Sequence, residues 1–381
     1  MKKISIGIDI SMDDFYACIK IRTQTGSIKI KGTHSFKNTE NGFKEFLIWA
    51  LKAKEDDCSV IFVMEATGVY YENLAHFLYS NKQSVAVILA NKVKNYIKSL
   101  NIKTKTDKTD SKSIAGFGIE RELDKWQPMS PVYKNLRDLC RELLSIKKDL
   151  QRSKCQLHAM NKSHEKLESI LALKIEQIRF YEKAIGIIKK EIKNAVNKDD
   201  ALKEKIRKAQ TIPGLGFETV VILACETNGF ALFDNIRQLV SYAGLDVTFN
   251  ESGNYKGKTR ISKRGNSRIR QALFMPSMSA TRANEPIKKL YERICDRNPD
   301  IKRKGIVAGL RKLLILTYTL WKKDEEYDIK YQWNKEPSSN DTAKSSFGPV
   351  TIKKKAEQNC SALDRPRFNE LTEPSFVKTK I

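Results

Sequence analysis

The sequence contains no C-x-x-C pair, no clustered histidines, no long apolar run and comparatively few acids. Its seven cysteines, at 18, 58, 140, 155, 225, 295 and 360, are scattered, and the four histidines do not gather near them. This spacing argues against a zinc site and for the reduced thiols of a cytosolic protein. The longest apolar runs, such as VAVILA at 85 to 90, fall far short of the roughly 20 residues of a membrane-spanning helix, so no membrane partner is expected. The opening MKKISIGIDIS has an aspartate where the apolar core of a secretory signal would continue, which speaks against export.

The shortage of acids is the most informative of these. Lys and Arg total 70 against 45 Asp and Glu, a formal net charge of +25 spread along 381 residues. Such a balance points to a polyanionic partner, because each phosphate neutralised releases counterions. The length suggests two or three folding units.

The first part of the chain alternates strand-like and helix-like segments. ISIGID (4 to 9), FYACIKI (15 to 21) and SIKIKGTHSF (27 to 36) read as strands, NGFKEFLIWALKA (41 to 53) as an amphipathic helix, VIFVME (60 to 65) as a buried strand, YYENLAHFLYS (70 to 80) as a helix and SVAVILA (84 to 90) as a further strand. Three strands followed by strand, helix and strand describe a mixed α/β domain over 1 to 130. Between 131 and 208, Leu136, Leu139, Leu143, Ile146, Leu150, Leu157 and Met160, then Ile175, Ile178, Ile185, Ile188 and Ile192, recur at helical intervals with an interruption near Ser169. Such a stripe buries against a partner helix, as in a helical hairpin or coiled coil, or against its own domain, and the pattern leaves both open. A mainly helical region occupies 209 to 330. The remainder, 331 to 381, is rich in Lys, Ser, Pro and Asn and reads as a disordered tail.

Asp9 ends one apolar strand in GIDIS and Glu65 another in VMEATG. Ionised groups at the ends of buried strands need pairing, water or a cation, although either one alone is most simply where a strand meets solvent. In KTKTDKTDSKSIAG (103 to 116), Asp107 and Asp110 are three apart and share a helix face. One reading makes Asp107 an N-cap with Asp110 at the third helical position; the other adds both to Asp9 and Glu65 as an all-oxygen site for Mg²⁺. Spacing alone does not separate them.

In IPGLGFETV, Gly214 and Gly216 lie between helical patterns. They suit either a tight helix-helix turn or a helix-hairpin-helix-like nest of backbone amides for a phosphate, the latter favoured in so basic a chain. Lys256, Lys258, Arg260, Lys263, Arg264, Arg268 and Arg270 crowd into NESGNYKGKTRISKRGNSRIRQAL (250 to 273) with no acid after Glu251. That density anticipates a nucleic-acid backbone. Ser252 precedes the patch; on its own chemistry it is a turn residue, since a nucleophilic serine needs activation.

Taken in order, GIDIS, VMEATGVYYE, KTDKTDSKSIA, IPGLGFETV, YAGLDV, NESGNYKGKTRISKRGNSRIRQAL and FMPSMSAT resemble the DEDD transposases of the bacterial insertion-sequence family that includes the bridge-RNA-guided recombinases. The resemblance spans roughly residues 4 to 328. It implies a RuvC-like, RNase H-like N-terminal domain, a coiled-coil insertion and a C-terminal transposase domain. It implies that Asp9, Glu65, Asp107 and Asp110 form a Mg²⁺-binding tetrad, with two ions, and that Ser252 attacks the DNA phosphate. It further implies homodimers that assemble into tetramers, sites composed of the tetrad of one subunit and the serine of another, donor and target DNA as substrates, and a structured noncoding bridge RNA as guide. A cytoplasmic, nucleoid-associated bacterial protein would follow. Three rivals share these residues: a Holliday-junction resolvase or related nuclease in which water attacks, a site-specific DNA invertase, and an inert nucleic-acid-binding scaffold.

Overall fold

The computed structural model describes residues 3–53, 58–257 and 259–328, without the side chain of Lys256. Lys258, Cys360 and the expected tail at 331 to 381 lie outside the described residues.

The chain begins as an antiparallel meander of β1 (Lys3–Ile10), β2 (Asp14–Arg22) and β3 (Ile28–Lys37), followed by α1 (Glu40–Lys52). Next, β4 (Ser59–Glu65) pairs parallel to β1, and after α2 (Glu72–Ser80), β5 (Val85–Ile88) pairs parallel to β4. The sheet order is β3-β2-β1-β4-β5, so β1 lies at its centre. Alternation along β1 explains what covers each face. Ile4, Ile6, Ile8 and Ile10 are buried with Phe46 of α1 and Leu74 and Leu78 of α2, around Phe15, whose ring meets Phe46 edge-on at 5.2 Å.

Ser5, Gly7 and Asp9 face the other way, toward α4 (Asp107–Glu120), which follows α3 (Ala90–Ser99). Here the sequence supplies small residues, and the helix lies almost on the backbone of the strand. A Cβ on Gly7 would come within 2.1 Å of Ala115 N and 2.3 Å of Ser111 O, and one on Gly118 within 2.2 Å of Ser5 Oγ. Helix α3 had no place in the strand-helix pattern read from the sequence, because it buries only Val93 and Tyr96.

Helices α5 (Pro131–Asn161) and α6 (Glu168–Asn197) form an antiparallel hairpin, with Lys154 Nζ 2.7 Å from Glu182 Oε1 and Lys174 Nζ donating to Gln156 Oε1 at 2.9 Å. Only its root is core: Leu136, Cys140, Leu143, Ile192 and Val196 join the cluster built by the helices that follow. The expected helical region to 208 does not continue as one hairpin. Asp199 starts a separate helix, α7 (Asp200–Gln210), its side chain accepting from Leu202 N at 3.0 Å, and Leu202, Ile206 and Ala209 pack into that same cluster.

The rest is helical apart from four two-residue strands among the described residues: α8 (Phe217–Glu226), α9 (Ile236–Tyr242), β6 (Val247–Thr248), β7 (Glu251–Ser252), β8 (Tyr255–Lys256), β9 (Arg260–Ile261), α10 (Ser267–Ala283), α11 (Glu285–Asp296) and α12 (Arg303–Lys323). Its core includes Leu223, Phe230, Leu273, Leu313 and Trp321. Cys18, Cys58, Cys140, Cys155, Cys225 and Cys295 carry free thiols. No helix among the described residues is long and apolar enough to cross a membrane.

Candidate active site

The strand pairing brings Asp9 and Glu65 to one end and one face of the sheet. Ile8 pairs with Met64 across the parallel β1–β4 contact, so Asp9 and Glu65 follow side by side. Both lie two residues beyond positions that face α4: Gly7, against Ala115, and Val63, beside Gly118. By the two-residue period of a strand, both carboxylates therefore share the α4 face.

Helix α4 then delivers Asp107 and Asp110. The expectation that Asp107 caps this helix, with Asp110 at its third position, is corrected. Thr106 is the N-cap: its Oγ1 accepts from Thr109 N at 3.2 Å, while Thr106 N donates to Thr109 Oγ1 at 2.9 Å. With threonines closing the capping box, Asp107 becomes the first residue of the helix and Asp110 the fourth, and neither carboxylate is needed for capping. The helix begins here, so its positive end faces the cluster.

Electrostatics shows how closely the acids crowd. Burial, followed by the charges of Asp110, Asp107 and Glu65, pushes the Asp9 carboxyl up to about 7, against the opposing pull of Lys105. Burial and then Asp110 raise Glu65. Asp110 is raised by burial, with Lys105 lowering it and Asp107 raising it. Among the described residues none of the four carboxylates accepts a hydrogen bond or forms an ion pair, so their mutual repulsion is offset only in part, by the charge of Lys105. As the side chains stand, no three acids, histidines or cysteines among the described residues converge tightly enough to enclose a metal ion. The donor set nevertheless fits a hard divalent cation in kind, being all oxygen, of one charge and without internal partners. Lys105 was not singled out in the sequence; in a run of lysines nothing marked it.

Ser252 sits elsewhere, on the β7–β8 hairpin opposite Tyr255, with Gly253 at φ +55° making the turn. It is exposed and makes no hydrogen bond to a side chain among the described residues, and so has no activating base in this arrangement.

The basic segment divides in two. Arg260, Lys263 and Arg264 are exposed, without an acidic partner among the described residues. Arg270 is engaged internally, and Arg268, though exposed, borders a buried acid. Arg270 Nη1 donates to Ala243 O at 2.8 Å, and Arg268 Nε lies 4.0 Å from Glu226 Oε1. Glu226, only 3 % exposed, is the hub that sequence reading missed. Arg141 of α5 donates to both of its oxygens, at 2.8 and 2.9 Å, and Asn266 Nδ2 donates to it at 2.8 Å. Burial pushes Glu226 up, but the bonds from Arg141 and Asn266 and the charges of Arg141 and Arg268 outweigh it and hold the carboxyl below its usual range. Asn266 also caps α10 by accepting from Arg268 N and Ile269 N. The network thus ties the hairpin root, α8 and the basic segment together. Its one signal in the sequence was an acid ending the apolar run VVILACE, the logic already applied to Glu65.

Gly214 and Gly216 lie in the turn between α7 and α8. Gly214 has φ +98° and its Cα faces the Ala280 backbone of α10, where a Cβ would come within 2.9 Å; Gly216 is the N-cap of α8 and faces open space.

Comparison with known proteins gives a consistent set. Residues 6–163 match a family model of DEDD transposases of the IS110 type, described as a transposase, and residues 206–292 match one described as the transposase of the IS116/IS110/IS902 family. Pilin gene-inverting proteins of Moraxella bovis and Moraxella lacunata are each 27% identical over 329 residues, covering 86% of this chain and 98% of theirs. Among solved structures, the fowlpox virus Holliday junction resolvase is similar at 15% identity over 30% of this chain and 96% of its own, with a TM-score of 0.23, a likeness too slight to bear on the fold.

Proposed function

The chain belongs to the IS110 family of DEDD transposases and is a DNA recombinase, and from that premise we propose that it excises and inserts an insertion sequence by cleaving and rejoining DNA strands at Ser252 beside the Asp9, Glu65, Asp107 and Asp110 cluster. The observation that carries the reading is this cluster: acids without hydrogen-bond or ion-pair partners among the described residues, crowded at the end of a central strand, with the carboxyl of Asp9 pushed up to about 7. We read the N-terminal domain as RNase H-like, of the RuvC kind; the order β3-β2-β1-β4-β5 supports this.

Asp9, Glu65, Asp107 and Asp110 would hold two magnesium ions, whose contribution is Lewis-acid polarisation of the scissile phosphate and of the serine hydroxyl. Ser252 Oγ forms a bond to phosphorus as a phosphorus–oxygen bond of the strand breaks, and the released strand hydroxyl takes up a proton in place of the one Ser252 loses. Rejoining is the reverse step with the hydroxyl of another strand. Arg260, Lys263 and Arg264 bear on the phosphodiester backbone, and Gly216, at the open N-terminus of α8, presents amides to it in the manner of a helix-hairpin-helix.

Ser252 on an exposed hairpin, with no base at hand, fits a site completed by the tetrad of another subunit. The face of α6 supports self-association into dimers and then tetramers, since Leu167, Leu173, Phe180 and Ile187 are 64%, 65%, 66% and 54% exposed. The net charge of +25 suits a structured bridge RNA that selects donor and target by base pairing while the protein grips backbone. Such a protein works at the bacterial nucleoid.

The test is trapping. Wild-type protein with magnesium and element-end DNA leaves a covalent protein-DNA adduct; Ser252→Ala leaves none, and Asp110→Asn binds DNA but forms no adduct. An adduct with Ser252→Ala would remove the nucleophile assignment, and strand cleavage with no adduct from wild type would indicate a resolvase-like nuclease. A second reading, inversion within one DNA molecule, is favoured by the end-to-end match to pilin gene-inverting proteins. A substrate carrying inverted sites separates it from excision and insertion.

A further inference from the structure

A cleft of about 270 Å³ opens where α2, the connector at 121–130, α5 and the α8–α9 region meet. Its chemistry differs from the core around it. Trp126 lines it, held by Trp126 N donating to Val85 O at 2.7 Å and standing perpendicular to His76 at 5.2 Å and Tyr79 at 6.1 Å. The acids that border the cleft are already satisfied: Glu72 by Lys134 at 3.1 Å and Glu226 by Arg141 at 2.8 Å. This leaves Arg137 and Lys125 as cations without acidic partners among the described residues.

Arg137 is the telling residue. Its Nε is buried without a hydrogen-bond partner among the described residues, which costs more than one ordinary hydrogen bond is worth, and no residue ties the guanidinium down. A guanidinium presents a planar fork suited to phosphate. The Gln127 amide, also lining the cleft, has no partner among the described residues and could meet a base edge. An indole, an unsatisfied guanidinium and a free amide around a space of this size match one nucleotide: base on Trp126, phosphate on Arg137.

We propose that this cleft binds a single unpaired nucleotide, stacked on Trp126 and held through its phosphate by Arg137. For its source the inference rests on the nucleic-acid reading above: the nucleotide is one splayed from the strand that the protein handles, with a free mononucleotide as the other source of the same chemistry. The site lies at the junction of the sheet domain and the helical core, so an occupied cleft would couple strand position to the placement of both.

The experiment uses the full chain with three probes: single-stranded DNA of roughly ten nucleotides, a blunt duplex, and adenosine monophosphate. Arg137→Gln and Trp126→Ala should each weaken single-strand binding about ten-fold or more, the size of one lost stacking or charge-assisted contact, and leave duplex binding unchanged. Arg137→Lys should fall between wild type and Arg137→Gln. Because Trp126→Ala also removes packing against His76 and Tyr79, Arg137→Gln is the deciding variant; it should not lower the melting temperature, as loss of a structural arginine would. Weakening confined to the single strand identifies the strand as the source, and weakening confined to the mononucleotide identifies a free nucleotide; both support the site. Wild-type affinity of Arg137→Gln and Trp126→Ala for both of these probes overturns it. Adduct formation by wild type, measured in the same preparations, reports on the recombinase reading separately.

Discussion

The carboxylate end of the sheet and the Ser252 hairpin are constructed in opposite ways. Asp9 and Glu65 continue strands whose neighbours Ile8 and Met64 are wholly buried, and α4 lies on Gly7 so closely that no side chain fits between. Ser252 sits on a two-residue strand with a glycine turn, exposed and without a side-chain hydrogen bond among the described residues. The first arrangement is fixed by the packing of strand against helix, as a crowd of like charges needs if it is to hold one geometry. The second is held by little more than the two-residue pairing of β7 with β8 and the bond from Gly257 N to Asn250 O at 2.8 Å. The acids store repulsion on a stiff frame, whereas Ser252 is carried on a short, exposed hairpin.

The strongest way to break the contrast is Gly7→Val. A Cβ at this position already overlaps Ala115 N, so α4 must shift, and we expect a loss of about 3 to 5 kcal/mol in denaturant titration together with loss of adduct formation. Full stability would show that the close packing of α4 on β1 is not what holds the cluster.

Glu226→Gln should cost about 2 kcal/mol at neutral pH, because Arg141 loses its charged partner but is partly exposed and can rehydrate. The sign with pH follows from a carboxyl held below its usual value of 4.5 when folded: its stabilisation is complete above that value and fades as pH falls below it. The gap between variant and wild type should therefore narrow in acid, and hydrogen exchange near Asn266 should quicken. A gap that widens in acid would refute the network.

Asp9→Asn should have the opposite sign, a gain on the order of 1 kcal/mol in chelator-treated protein once solvent screening is allowed for. The folded carboxyl titrates at about 7 against a usual 3.8, so wild-type stability is highest below the lower value and is lost as pH rises through the upper one. The gain belongs above about 7 and vanishes near the lower value. Activity should disappear throughout.

Ser252→Ala should be the quietest, within about 0.5 kcal/mol of wild type in melting experiments, as expected of an exposed turn residue. A large destabilisation would mean that the hairpin is more firmly held than its exposure suggests.

Much of the sheet domain was legible because its patterns are local. Isoleucine alternation in β1, the apolar run of β4 and the acid after each run are all visible within a few residues. The hairpin was legible as helix, but its partner was not, since a stripe such as Leu136, Leu143 and Ile192 is the same whether a neighbouring helix or a domain core receives it. The basic segment was legible as charge but not in its surroundings: Arg268 and Arg270 have the same side chain as Arg260 and Arg264, and only the fold placed Glu226 and the Ala243 carbonyl beside them.

The sequence by itself determined the periodicities, the strand-end acids, the excess of cations and the ordered motifs of the family, because each depends on residue type and short spacing. Tertiary structure alone decided that Thr106 and Thr109 close the helix and release Asp107 and Asp110, that Gly7 lets α4 bring those acids to Asp9 and Glu65, and that Arg137, its Nε unpartnered among the described residues, lines one cleft with Trp126. The physical reason is range. A cap or a close approach is settled by whichever backbone and hydroxyl come together in space, and residues 7 and 115, or 85 and 126, meet only after the chain has folded between them.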